Sequence, residues 1–165
     1  MTNLIHENNE LNTEMTFEVL RKFRMIFGSA RNHFKKIEDV CGISGSQLWI
    51  LKEVDKAPGQ GVTELANKLS IHQTTSSLLV EKLVTKNLII KERSKEDQRR
   101  VGLYVTEEAK NILNIAPGPA EGLLPSAVKS LSKETLELLN KGLADVLIQL
   151  GGHDEEMANQ PLADM

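Results

Sequence analysis

The sequence predicts a mainly helical chain with one small β-hairpin, an α+β fold class. Three observations carry this. Apolar residues recur at helical spacing over most of the chain. Two short runs rich in β-branched and aromatic residues, Leu88–Arg93 and Val101–Val105, flank a polar tip. Glycine, proline or Ser/Thr capping signals separate the helical stretches.

Taken in order, residues 1–14 are polar and aperiodic and read as a flexible tail. From Met15 to Asp39, Phe17, Leu20, Phe27, Ala30, Phe34 and Ile37 mark one face of a long amphipathic helix, which Cys41-Gly42 ends. Ser44-Gly45-Ser46-Gln47 is a capping box, in which hydroxyl and amide each satisfy a free backbone N–H. The helix it opens runs from about Gly45 to Asp55, with Leu48, Trp49, Leu51 and Val54 as core candidates. After the turn at Ala57–Gly61, Thr63 is expected to cap a short helix, Glu64 to Leu69, with Leu65, Ala66 and Leu69 inward.

Ser70-Ile71-His72 leads to a helix from Gln73 to about Lys86, whose apolar stripe is Leu79, Val80, Leu83 and Val84. The two strands follow, joined by the charged tip Ser94–Arg100. Thr106-Glu107-Glu108 caps the next helix with acids in its first turn, as the helix dipole favours. Pro117-Gly118-Pro119 breaks it, and a segment from Ala120 to Leu131 continues as helix around Pro125. Ser132 caps a last helix, Lys133 to Leu150, striped by Leu136, Leu139, Leu143, Val146, Leu147 and Leu150. Residues 152–165 read as a second flexible tail.

A short helix, a three-residue turn and a second helix form a helix-turn-helix, and the hairpin beside it is a wing. Such a second helix lies in a DNA major groove with its first residues toward base edges. Here it offers Gln73, Thr74, Thr75, Ser77, Leu78 and Lys82, with short hydroxyls that donate or accept and methyls that meet thymine. The wing tip carries Lys95, Asp97, Arg99 and Arg100, suited to phosphates or a narrow minor groove.

Net charge is −3, but its distribution is uneven. Residues 21–36 hold six basic residues (Arg21, Lys22, Arg24, Arg31, Lys35, Lys36) and no acid. Residues 82–100 hold seven basic residues against three acidic ones, a local +4. The local field, not the total charge, decides where a polyanion docks. No apolar run reaches the ~20 residues that cross a bilayer, and the N-terminus lacks the apolar core of a secretory signal. A cytoplasmic protein is expected.

No cofactor and no catalysis are expected. The four histidines (His6, His33, His72, His153) are scattered, and there is no phosphate loop or dinucleotide fingerprint. His153-Asp154-Glu155-Glu156 is a weak metal candidate within the tail. The single cysteine, Cys41, excludes an internal disulfide and reads either as an inert thiol near a helix end or as a redox sensor.

From Ser44 to Ala109 the chain resembles the MarR family of winged-helix transcriptional regulators. The matching text is Val62-Thr63-Glu64-Leu65-Ala66, Leu79-Val80-Glu81-Lys82-Leu83, Lys86-Asn87-Leu88-Ile89, and Asp97-Gln98-Arg99-Arg100 leading to Thr106-Glu107. Two positions depart from the family's pattern: Leu78 stands where many members carry a basic residue, and Asn87 where many carry glycine. Asn87 also tolerates the left-handed conformation, while Leu78 implies an apolar contact to a thymine methyl.

The resemblance implies that Arg99 enters the minor groove with Asp97 holding it. It implies a homodimer clasped by helices 15–41 and 110–151, which sets the spacing of two 44–109 winged regions on a pseudo-palindromic operator of double-stranded DNA. It also implies repression relieved by a small aromatic or phenolic acid, with Arg24, Arg31 and His33 as candidate ligand contacts. Two alternatives remain at this point: redox control through Cys41, and a winged-helix module that binds protein rather than DNA.

Overall fold

The computed structural model describes residues 2–93, 100–151 and 155–164. Helix α1 (Thr2–Cys41) is 40 residues long, about 60 Å at 1.5 Å per residue. It begins at Thr2 rather than at Met15, so the expected N-terminal tail is largely helix. Neither glycine nor proline occurs before Gly28, so nothing in that stretch stops a helix propagating backward. Its end is as expected, with Gly42 in the left-handed region at φ 66°.

Ser44 caps α2 (Gly45–Lys56) through the complete capping box: its Oγ accepts from Gln47 N–H at 3.3 Å, and its own N–H donates to Gln47 Oε1 at 3.1 Å. In α2, Leu48, Ile50, Leu51 and Val54 are buried, whereas Trp49 is only half-buried. Burial here spans a wide arc because α2 is central and touches α1, α3, α4, α5 and the wing.

Helix α3 (Val62–Leu69) starts one residue ahead of Thr63, so Thr63 is not its cap. Gly61 holds that place in extended conformation, without a side-chain bond to the helix. The turn to α4 (Gln73–Thr85) puts Ser70 in the left-handed region at φ 54°, and Ile71 N–H donates back to Ala66 O at 3.1 Å. The inner face of α4 is Ser76, Leu79, Val80 and Leu83. Asn87 takes the left-handed conformation its type allows, at φ 56°.

The wing pairs β1 (Ile89–Arg93) with β2 (Val101–Val105) antiparallel, with Ile89 opposite Val105 and Arg93 opposite Val101. The α2–α3 turn extends this sheet: Gly59 N–H donates to Leu103 O at 2.8 Å, and Leu103 N–H to Gln60 O at 3.0 Å. The Thr106 hydroxyl accepts from Ala109 N–H at 3.2 Å to cap α5 (Glu107–Ile115) and donates to Asn87 O at 3.0 Å. One side chain therefore ties the exit of α4 to the start of α5.

Helix α6 (Leu123–Lys129) is shorter than the Ala120–Leu131 expected, because Pro119 and Gly122, at φ 91°, hold the preceding chain in turns. Ser132 caps α7 (Lys133–Gln149), where every residue is exposed. The C-terminal end is not wholly tail. It forms α8 (Glu155–Ala158) and a 3-10 turn, Leu162–Asp164, that packs on α1 and α2. One core joins α2 to α5 with the end of α1, through Ile37, Ile43, Leu48, Leu51, Leu65, Leu83, Ile89 and Leu103.

Candidate nucleic-acid interface

The helix-turn-helix is held rigidly from below. Leu65, Leu69, Leu79, Val80 and Leu83 are all at most 6% exposed. With that face fixed, the opposite face of α4 must point outward. Gln73, Thr74, Leu78 and Lys82 are exposed, and Thr75 and Ser77 are half-buried. Thr74, Leu78 and Lys82 follow at four-residue intervals and form one row along the helix. Leu78 is 59% exposed, a large apolar side chain with no core role.

Glu81 would place a negative charge on this surface, but Lys91 of β1 pairs with it. The pair also pins the wing to α4. Lys82 makes no ion pair among the described residues, so its charge is available to an outside anion. Arg100 is exposed at the entry to β2. The other wing-tip residues, Lys95, Asp97 and Arg99, lie outside the described residues.

A buried carboxylate paired with two exposed lysines lies beside the wing root. Glu53 of α2 is 7% exposed and pairs with Lys56 and, at 3.3 Å, with Lys68 of α3. Burial pushes its carboxyl pKa up, but the two lysines together outweigh burial and hold it below the ordinary value. Gln60 donates through Nε2 to Glu53 O at 2.7 Å, locking the turn that pairs with β2. Sequence reading missed Glu53 and Gln60, because their partners lie across a turn and on a neighbouring helix.

The three candidate ligand contacts are not brought together. Arg31 lines a cavity of about 510 Å³ with Phe27, Phe34, Lys35 and Leu124, beside the start of α2. Arg24 is exposed and does not line it. His33 is half-buried, and its Nε2–H donates to Pro119 O at 2.8 Å, joining α1 to the α5–α6 linker. Lys35, four residues from Arg31 on the same helix face, lines the cavity with it, a pairing that this spacing makes legible in the sequence.

Cys41 is buried at 7% exposure, and burial pushes its thiol pKa up. A sensor needs an accessible thiolate, so this environment is the opposite of a sensor's. Among the described residues no cluster of metal-binding side chains occurs, and His153 and Asp154 lie outside them. No described helix is long and apolar enough to cross a membrane.

A rigid helix-turn-helix with an exposed polar face and a two-stranded wing beside it defines a winged-helix protein. More particularly, the family model of the transcriptional regulators SarA/Rot matches residues 32–115, and the chain belongs to that family of regulators, which are not enzymes. The chain is similar to YpoP, an HTH-type transcriptional regulator of Bacillus subtilis, at 28% identity over 104 residues, covering 63% of this chain and 73% of YpoP. Among solved structures it is similar in fold to Staphylococcus aureus MepR in a DNA complex, with TM-score 0.54, 23% identity, 78% of this chain and 93% of that one. Escherichia coli MarR in its apo form shares the fold at TM-score 0.51 and 18% identity, over 77% of this chain and 95% of that one. The winged-helix fold implied by the MarR resemblance is the fold observed.

Proposed function

We propose that this regulator is a homodimeric repressor that binds a pseudo-palindromic site on double-stranded DNA and is released by a small aromatic or phenolic acid. The observation that carries the reading is the pairing of an exposed, hydroxyl-bearing α4 face with an uncovered apolar flange. On α7, Leu136, Leu139, Leu143, Val146 and Leu147 are each 39–44% exposed, and Leu150, its C-cap, is 74%. On α1, Phe17 is 62% and Phe27 66% exposed. A lone chain would keep this large apolar face in water, which soluble monomers avoid. Two copies related by a two-fold axis bury it and present two α4 helices with a fixed separation.

In this arrangement Thr74, Thr75, Ser77 and Leu78 meet base edges, with Gln73 and Lys82 at the groove margins. Lys95, Arg99 and Arg100 reach the backbone and minor groove, with Asp97 orienting Arg99. The S. aureus relative in fold was crystallised with DNA. MdtR of B. subtilis, 28% identical over 67 residues, is a transcriptional repressor. A ligand in the cavity beside Arg31 sits where α1 meets the winged region, so its binding changes the angle between the two and the spacing of the heads.

The test is a gel shift on the duplex upstream of the protein's own gene. Arg99→Ala and Arg100→Ala are expected to weaken binding while the dimer, followed by sedimentation, persists. Lys82→Ala is expected to lower the salt slope by about 1. Unchanged affinity in all three variants refutes the interface. A monomer at micromolar concentration refutes the flange.

A further inference from the structure

The C-terminal segment reaches a place where three elements already meet. Gly45, the first residue of α2, has no side chain, and a Cβ there would fall 2.4 Å from Phe34 Cδ1 of α1 and 2.8 Å from Ala163 Cβ. Ala163 is thus in close contact with the junction of α1 and α2, and only glycine at position 45 lets all three approach. Two residues before it, Pro161 is buried. Residues 158 and 160–163 close one side of a cavity of about 210 Å³ whose opposite wall includes Trp49 and Pro125. Leu162 and Ala163 also form a wall of the 510 Å³ cavity beside Arg31 and Lys35. The segment therefore stands between two cavities that share Phe34, Gly45, Leu162 and Ala163 as lining, where α1 meets the start of α2.

We propose that residues 155–164 form an intramolecular strap that separates these two cavities. Seated, the Pro161-Leu162-Ala163 turn wedges Phe34 against the start of α2 and holds the angle between α1 and the winged region. Released, it opens one larger apolar cleft with Arg31 and Lys35 at its mouth, a site suited to a small apolar anion. The strap and an apolar anion then compete for the same space. The competing anion rests on the ligand reading proposed above, whereas the strap itself stands on the packing and does not depend on DNA binding.

The experiment uses the full-length chain and its single tryptophan, Trp49. Ala163→Lys puts a cation beside Phe34, Arg31 and Lys35, and Pro161→Asp puts a carboxylate into the buried site that also faces Glu121, so neither gains an ion pair that would hold the strap down. Both are expected to keep the far-ultraviolet circular dichroism of the parent. Both should raise the acrylamide quenching constant of Trp49 roughly twofold, because local release exposes what the strap covers. Both should also increase the fluorescence of added 8-anilinonaphthalene-1-sulfonate, which reports newly exposed apolar surface. A synthetic peptide of residues 155–165 added in trans should reverse both changes, and a scrambled peptide should not. Quenching and dye binding equal to the parent's overturn the proposal, as does a dye signal that the peptide fails to reverse. Loss of helical signal in both variants also overturns it, since a displaceable strap is not required for the fold.

Discussion

Replacing Gly102 with alanine tests how the wing is attached. Gly102 lies buried in β2, and a Cβ there would sit 2.9 Å from both the Cα and the carbonyl oxygen of Gly59. Ordinary contacts of this kind begin at 3.4 Å, so the two backbones must separate by about half an ångström, and backbone cannot rotate out of the way as a side chain does. Overpacking of this sort costs about 1–3 kcal/mol. The two hydrogen bonds beside it, Gly59 N–H to Leu103 O at 2.8 Å and Leu103 N–H to Gln60 O at 3.0 Å, must stretch with the same movement. Losing one adds about 1 kcal/mol. The total of about 2–4 kcal/mol corresponds to a fall of roughly 4–16 °C in Tm for a chain of this size. Far-ultraviolet circular dichroism melts at fixed protein concentration measure it, because association makes the midpoint concentration-dependent. Duplex affinity should fall with it, since the displaced sheet carries the wing. Gly61→Ser in the same turn is the control: its Cβ meets only Val101 O at 3.8 Å, and the serine adds a missing N-cap hydroxyl, so stability should rise by a few tenths of a kcal/mol. A Gly102→Ala midpoint equal to the parent's would refute the close-approach argument.

Three further outcomes follow from the packing and the charges. Glu53→Gln should destabilise the protein at neutral pH, because Lys56 and Lys68 hold the native carboxyl pKa below its unfolded value. The stabilisation is complete above the unfolded pKa and is lost as pH falls through the folded one, so urea midpoints of parent and variant should converge in acid; a constant gap would contradict it. Cys41 should react with a disulfide reagent far more slowly in the native protein than in urea, given its burial and raised pKa; equal rates would restore the redox reading. Leu78→Ala should leave stability within about 0.5 kcal/mol, as exposed positions do, while shifting preference among duplexes that differ in thymine content; an unchanged preference would remove Leu78 from the interface.

Most of the helical order was legible because its signals are local. The Ser44–Gln47 capping box, the Thr106 and Ser132 caps and the Gly42 stop each act within one turn of chain, and all stand where the sequence puts them. The register of α4 followed from Leu79, Val80 and Leu83, and with it the outward row of Thr74, Leu78 and Lys82. The misses are also local in kind. Thr63 looked like a cap because residue type alone does not show that Gly61 has already turned the chain into extended conformation. The first 14 residues looked like a tail because polar composition hides a helix that lacks only an apolar stripe.

What the amino-acid order determined by itself is the set of elements and which face of each is apolar, since hydrophobic period and capping act over a few residues. What tertiary structure alone decided is which distant groups meet. Glu81 with Lys91 across the α4–β1 boundary, His33 with Pro119 across 86 positions, the Gly59–Gly102 approach, and Ala163 against Gly45 are of this kind. No periodicity encodes these pairings, because each depends on how whole elements stack after their apolar faces are buried. The face left over on α1 and α7 follows the same logic one level up: the sequence makes it apolar, and the fold of one chain leaves it without a cover.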